Sequence, residues 1–410
     1  MPGKNPEPEK IYRKLLIRAF VPLLGIFLSI PLVACGGVEP ATTSNGVPAT
    51  ATGASQQATT STDPTGSHTV AIDGHTLTLP DGFTISRWVT GRDGLRMMAV
   101  TDDGYLLVTE MGKGNVLGFR LTDENPEAIT VISGLKRPSG IAFHDGSVWV
   151  AEETKVSRYP YNAGGSVGDG ETVISGLPSG GHGTRTIGFG PDGKLYLAIG
   201  SSCNVCEEED DRRAAILRFN ADGSGQELFS SGLRNTVGFT WNPATGEMWG
   251  VDNGRDGLGD DLPPDEVNII MQGKVYGWPW CYGSFQVNPE FADDQQRARF
   301  CEATEPPVVE MQAHSAPLGL RFLSESAWPT AWKGDLFIAF HGSWNRSDPT
   351  GYKVVRVDRS RQVIDFVTGW LDERTGSAWG RPVDIMFANN KMYISDDASG
   401  SIYIVQPADQ

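Results

Sequence analysis

From residue 69 onward the apolar and polar positions of the chain repeat one motif: a short apolar strand, a turn rich in Asp and Gly, then a second apolar strand. The copies read MMAVTDDGYLLVTE, GIAFHDGSVWVAEE, IGFGPDGKLYLAIG, GFTWNPATGEMWGVD, LRFLSESAWPTAWKGDLFIAF and DIMFANNKMYISDD. Each is followed by a further strand, in NVLGFRL, KVSRYPY, AAILRFN, DEVNII, YKVVRVD and SIYIV. Aligned on Val100, Phe143, Phe189, Phe239, Phe322 and Phe387, the copies lie 43, 46, 50, 83 and 65 residues apart. The first three intervals fit the repeat of about 40–50 residues found in propeller blades, and the two longer ones predict inserted loops. Six copies of four short strands predict an all-β fold, a six-bladed β-propeller with four-stranded antiparallel blades, which absorbs residues 69–410 as one domain. Gly 50 and Trp 11 suit many short strands and tight turns better than long helices.

The N-terminus departs from this pattern. Lys4, Lys10, Arg13, Lys14 and Arg18 precede the apolar run AFVPLLGIFLSIPLVA and then Cys35. A basic head and an apolar run short for a membrane span, ending on small residues, predict an export signal over residues 1–34. Leu32-Val33-Ala34-Cys35 resembles a bacterial lipobox, which implies cleavage before Cys35 and a lipid on its sulfur. Residues 35–68, rich in Ser, Thr, Ala and Gly, hold too few large apolar side chains to bury a core and read as a flexible tether. These segments predict an exported protein on the cell envelope that meets the membrane only through its lipid. Loss of residues 1–34 moves the formal charge from −16 to −19, which disfavours nucleic acid and anionic headgroups as partners.

Four further cysteines remain, and in an oxidising compartment an even count suggests the local pairs Cys203–Cys206 and Cys281–Cys301, although four cysteines permit three pairings. CNVC is followed by Glu207 and lacks the histidine that haem attachment needs. The glycine-rich surroundings lack the βαβ context of a thioredoxin-like site, and spacing alone leaves a four-cysteine zinc site open.

In a propeller the residues just before each inner strand meet at one mouth of the central channel. Here those positions hold Arg96, Arg137, His182 with Arg185, Arg234 with Asn235, His314 and Arg381. Pairing with carboxylates between blades accounts for some of them, Arg96 and Arg137 in particular. Arginines gathered without an acidic partner beside them in the sequence favour a planar, multiply charged anion, because the guanidinium fork matches a carboxylate with two parallel bonds. Asp252, Asp256, Asp260, Asp261, Asp265 and Glu266 crowd the stretch DNGRDGLGDDLPPDEVNII, which reads equally as a Ca²⁺ loop of hard oxygen ligands or as an acidic surface loop.

The segments GGHGTRTIGFGPDGKLYLAIG, GLRNTVGFTWNP, DNGRDGLGDDLPPDEVNII, YGWPWCYG, AFHGSWNRSDPTGYKVVRV and GRPVDIMF together resemble the quinoprotein glucose/sorbosone dehydrogenases. These are six-bladed propellers that use pyrroloquinoline quinone (PQQ) with Ca²⁺, and the resemblance covers residues 75–408. HGSWNRSDPTGY is more similar to the sorbosone dehydrogenase-like branch. The resemblance implies oxidation of a sugar or sugar-derived aldehyde, with electrons passed to an external acceptor such as a quinone, cytochrome or dye. It implies His182 as general base, and Arg234 beside the reactive quinone carbonyl with Asn235 next to it. It further implies the main-chain carbonyls of Gly254 and Arg255 on Ca²⁺, and Arg346 and Arg381 on the cofactor's carboxylates; Arg185, at the same blade entrance as His182, reads as cofactor-binding, a pocket wall or an inter-blade pair. Val383 stands where the glucose dehydrogenases carry a second cation. Neutral imidazole, with an ordinary pKa of about 6.5, suits a base, and nearby arginines would lower it further. His314 and His341 read as pocket-lining or structural, and Trp278, Trp344 and Trp379 as sugar platforms or packing. Two other functions fit a propeller. One is a Ca²⁺-dependent lactonase or related hydrolase, which needs acids or Asn lining the channel, and the other is a non-catalytic binding module.

Overall fold

A computed structural model describes residues 66–408. The expected signal segment, the lipidated Cys35 and all but the end of the tether lie outside the described residues. The first strand, Ser67–Ile72, pairs with His75–Pro80 and so begins two residues before the expected domain boundary.

Six small antiparallel sheets form the six blades of a β-propeller. Blade one comprises Leu95–Val100, Tyr105–Glu110, Asn115–Arg120 and Ile129–Ile132, and blade two Gly140–His144, Ser147–Ala151, Val156–Asn162 and Glu171–Ile174. Arg185–Phe189, Leu195–Ile199, Ala215–Phe219 and Glu227–Ser231 build blade three; Thr236–Trp241, Met248–Asp252, Asp265–Ile270 and Val309–Met311 build blade four. Blade five is Pro317–Phe322, Leu336–Phe340, Lys353–Val357 and Val363–Val367. Each sequence copy supplies the two inner strands of its blade. The middle strands are continuous apolar runs because neighbouring blades cover both faces: every residue of Leu195–Ile199 and of Leu336–Phe340 is buried.

Blade six shows what the repeat pattern leaves out. Its strands Pro382–Ala388, Lys391–Asp396 and Ser401–Pro407 come from the C-terminus, but its outer strand is Phe83–Val89, paired from Phe83 opposite Pro407 to Val89 opposite Ile402 with a register shift between Arg87 and Val89. The two ends of the domain are thus hydrogen-bonded into one sheet, which closes the ring and removes an exposed edge. Phe83 also packs on Trp328, Trp332 and Phe366, tying this strand to blade five.

The two long intervals have structural causes. The 83-residue spacing holds an insertion between the third and fourth strands of blade four, with the hairpin Cys281–Tyr282/Gln286–Val287 and the helix Gln295–Cys301, capped by Asp294 on the N–H groups of Gln296 and Arg297. The 65-residue spacing holds the HGSWNR loop after Leu336–Phe340 and the hairpin Leu371–Asp372/Ser377–Ala378. Cys281 is bonded to Cys301 and Cys203 to Cys206, with S–S distances of 1.99 and 1.96 Å. This is the local pairing and leaves no four-thiolate site.

Candidate active site

His182 sits in the loop entering blade three, where its main chain and ring both face Ser201. Its N–H donates to the Ser201 carbonyl at 2.9 Å, and Nδ1 lies 3.0 Å from that carbonyl and 2.9 Å from the Ser201 hydroxyl. The hydroxyl donates to the Cys203 carbonyl at 2.8 Å, so toward the ring both Ser201 oxygens act as acceptors. Nδ1 therefore carries the proton and Nε2 the free lone pair. Burial first, and the Arg234 guanidinium second, pull the imidazole pKa down to about 4. His182 is therefore neutral at pH 7.

The sequence folds this way because two glycines let backbones meet. Gly181 has φ +61°, and a Cβ there would lie 2.5 Å from Ser202 Cα. A Cβ on Gly200 would lie 2.6 Å from His182 Cβ and 2.5 Å from Asn235 Oδ1, so His182 and Asn235 flank one glycine.

Arg234 and Asn235 enter blade four over a buried carboxylate. Asp252 accepts from the N–H of Arg234 at 2.9 Å, the N–H of Asn235 at 2.8 Å and the Thr236 hydroxyl at 3.0 Å, while burial pushes its pKa up to about 6. The Arg234 side chain, 5% exposed, donates to the Asn204 carbonyl at 3.1 Å, Asn204 Oδ1 at 3.0 Å, the Asn253 carbonyl at 3.1 Å and the Gly254 carbonyl at 2.8 Å. Asp256 stands 3.9 Å away. Burial also lowers the Arg234 pKa, the sign of a cation held largely by neutral dipoles.

Two loops close over this region. Asn345 donates to Asp256 at 2.7 Å, the Ser347 N–H to Asp260 at 3.0 Å and Arg346 to Asp261 at 2.9 Å. His314 Nε2 meets the Gly259 carbonyl at 2.9 Å, with its Nδ1 3.9 Å from Asp256. Arg381 donates to the carbonyls of His341 and Gly342 at 3.0 and 2.7 Å and lies over the Tyr352 ring. Arg96 and His341 both pair with Asp397 at 2.8 Å, so Arg96 follows the carboxylate reading. Burial opposes ionisation of Asp397, yet the His341 hydrogen bond and the Arg96 charge hold its pKa at about 2.

Residues 77–408 match the family model described as TrAA12-like. The chain belongs to the TrAA12-like family. An uncharacterized protein of Borreliella burgdorferi is 31% identical over 353 residues, spanning 80% of this chain and 90% of its own. The pyrroloquinoline quinone-dependent sugar dehydrogenase of Hypocrea jecorina is 25% identical over 387 residues, 80% of this chain and 88% of that one. The solved holo form of the pyranose dehydrogenase PQQ domain from Coprinopsis cinerea superposes with a TM-score of 0.70 at 22% identity, over 81% of this chain and 97% of that one, a likeness of fold.

In this TrAA12-like chain the structure brings His182, Arg234, Asn235 and Gly254 together, and sets Arg346 and Arg381 on and against the HGSWNR loop. Arg185 is a correction. It is 0% exposed and donates to the carbonyls of Pro178, His182 and Thr184, so it braces the loop that carries His182 and forms no pocket wall. Arg213 does the same for Ser179, Gly180 and Gly200. Arg185→Met leaves three partly buried carbonyls without this donor and an apolar side chain in its place. It should lower stability by about 2–4 kcal/mol, read as an earlier urea midpoint at unchanged slope.

The arginine cluster is also less bare than its sequence suggests. An acid at the end of the second strand accepts from the backbone just before the inner strand: Glu110 from Asp93, Glu152 from Lys136, Asp252 from Arg234 and Asp396 from Arg381. The acidic stretch is spent similarly. Asp265 binds the N–H groups of Gly254 and Ala316, Glu266 those of Gly283 and the Asn268 side chain, and Asp256, Asp260 and Asp261 hold the HGSWNR loop. Among the described residues no three carboxylates converge as a metal cage; the one grouping of that kind is Cys203, Cys206 and Glu208, whose sulfurs are bonded to each other.

The donor set fits an anionic cofactor. Buried Nε atoms of Arg96 and Arg346 have no hydrogen-bond partner. The Gly254 carbonyl gives one lone pair to Arg234, leaving its second lone pair and the Arg255 carbonyl for a cation. The Arg255 guanidinium turns away to Asn288 and Glu290. Val383 is fully buried in the apolar core and takes no part. Trp344 is 77% exposed, which removes core packing as its role, whereas Trp278 is buried and Trp379 stacks on His75.

Proposed function

We propose that this protein is a PQQ-dependent dehydrogenase of a sugar or sugar-derived aldehyde. The observation that carries the proposal is the pairing, across Gly200 and Ser201, of a neutral His182 with a defined tautomer and the buried cation Arg234. PQQ, when bound with Ca²⁺, supplies the two-electron acceptor for a hydride leaving the substrate carbon. His182 Nε2 takes the proton of the substrate hydroxyl, or of the hydrate when the substrate is an aldehyde. Arg234 faces the charge that this transfer creates, and its fixed bonds to Asn204, Asn253 and Gly254 mean that no reorganisation is needed when the charge develops. Arg346 and Arg381 would offer cations to the cofactor's carboxylates, and the carbonyls of Gly254 and Arg255 would hold the Ca²⁺. Electrons leave through an external acceptor. The hydrolase reading gains no support from the acids, which are committed to backbone N–H groups and to the loop clasp.

Purified protein stripped with chelator should gain dye-reducing activity with aldoses or aldosuloses only when PQQ and Ca²⁺ are added together. Tight PQQ binding without turnover on any of them would overturn the substrate class, and no PQQ binding would overturn the proposal. We further propose export and attachment through Cys35. Cys35→Ser should move the protein from the detergent-soluble to the aqueous fraction of cells without changing the reconstituted activity.

A further inference from the structure

The loop Ser201–Cys206 lies between the two groups assigned to catalysis, yet none of its residues figured among the expected site residues beyond the two cysteines. Its hydrogen bonds reach both. The Cys203 carbonyl fixes the Ser201 hydroxyl that orients His182 Nδ1. The next residue, Asn204, accepts from Arg234 twice, through its carbonyl at 3.1 Å and Oδ1 at 3.0 Å. Its amide also joins Asp256, with Oδ1 accepting from the Asp256 N–H at 2.8 Å and Nδ2 donating to the Asp256 carbonyl at 3.0 Å. Cys206 then closes the turn with its bond to Cys203. An Asn side chain on the surface is a mobile acceptor unless something fixes it. Here both ends of its amide are engaged by Asp256 and its backbone is confined by the disulfide.

We propose that Asn204 is a positioning residue that aims the Arg234 guanidinium toward His182, and that the Cys203–Cys206 disulfide is the frame that holds it there. Asn204 touches no reacting atom in this scheme. It acts through Arg234, whose remaining acceptors, the carbonyls of Asn253 and Gly254, lie on the other side of the guanidinium's bonding set, in the loop after Met248–Asp252. Loss of the Asn204 side chain removes the Oδ1 acceptor and the clasp on Asp256, leaves the Asn204 carbonyl as the one bond on that side, and frees Arg234 to shift toward that loop and away from His182. The groups that set the charge at His182 are then Arg213, Asp256 and a displaced Arg234. The disulfide is chemically addressable: Cys203 and Cys206 are partly exposed, whereas Cys281 and Cys301 are buried. A dithiol reductant delivers two electrons and two protons, breaks the Cys203–Cys206 bond into two thiols and leaves as its own cyclic disulfide.

The inference rests on the assignment of His182 and Arg234 above, and one measurement separates the two. In cofactor-free protein labelled with ¹³C-histidine, the His182 imidazole titration is followed by NMR for wild type, Asn204→Ala and the Cys203→Ser/Cys206→Ser double variant. Both variants should raise the His182 pKa by a measurable shift of less than about one unit, because the Arg234 charge is displaced and not removed. With PQQ and Ca²⁺ added, kcat should fall about 10- to 100-fold while KM changes less than about threefold. Limited dithiol treatment, with mass spectrometry confirming that only Cys203 and Cys206 are reduced, should reproduce the double variant and reverse on reoxidation. An unchanged His182 titration in Asn204→Ala overturns the positioning role, whether or not the loaded protein turns over. A shift in Asn204→Ala with none in the double variant or the reduced protein overturns the role of the disulfide. Absence of turnover in wild type, with the titration shifts present, overturns the dehydrogenase reading and leaves the positioning intact.

Discussion

Replacing His182 by alanine should lower the turnover of the reconstituted protein about 10²- to 10⁴-fold while leaving PQQ binding nearly unchanged, because a positioned general base contributes on that order to proton transfer. The pH profile of the wild type carries the sharper signature. A free histidine would impose an acid limb near 6.5, whereas burial and Arg234 place the limb of kcat/KM near 4. Activity should therefore hold as the pH falls from 7 to about 5 and decline below that, as protonation of Nε2 removes the lone pair. The same shift has a stability counterpart. Because the folded pKa lies below the unfolded one, the contribution of His182 is full above about pH 6.5 and is lost as the pH falls through about 4. Asp265 and Glu266, raised to about 7 and 8 mainly by burial, act in the opposite sense. Their contribution is full below about pH 4 and is lost as the pH rises through those values. A limb at 6.5 in steady-state kinetics would mean that His182 is not the base or is not buried in the working enzyme.

Much of the fold is legible in the sequence because a propeller repeats its pattern: all six copies mark true inner strand pairs, and every continuation marks a third strand. The closing strand Phe83–Val89 is not, since it lies before the first copy and its partner Ser401–Pro407 lies at the far end of the chain. Nothing local signals a pairing over that separation. In the site, His182, Arg234 and Asn235 stand out by residue type and place in the repeat. The acids Glu110, Glu152, Asp252 and Asp396 recur just as regularly, at the end of the second strand, but their partners are backbone N–H groups, which carry no residue label. Arg185 misleads for the same reason: its acceptors are carbonyls of its own loop. Asn204 had one available signal, its place inside a disulfide-closed turn three residues after Ser201. A polar residue in such a turn has its backbone fixed before any ligand arrives.

Substitution of Arg234 separates charge from geometry. Arg234→Lys keeps the positive charge but loses the fork that reaches Asn204, Asn253 and Gly254 together, since an ammonium offers three donors at one point and a guanidinium five in a plane. It should lower kcat about 10²- to 10³-fold, the usual cost of removing one preorganised donor from a developing charge, and move the acid limb upward only slightly, because the charge is displaced and not lost. Arg234→Met removes the charge as well. Its kcat should fall at least as far, and its acid limb should move upward, because the Coulombic part of the His182 shift disappears while the larger part due to burial remains. The two variants thus differ in the size of the pH displacement: both are slow, and the methionine variant moves its limb further. Equal limbs in the two would show that Arg234 does not act on His182 electrostatically, and a lysine variant with wild-type kcat would show that charge alone, without the bonds to the Asn204 turn, suffices. Either result would dissolve the link between the general base and the guanidinium on which the site is built.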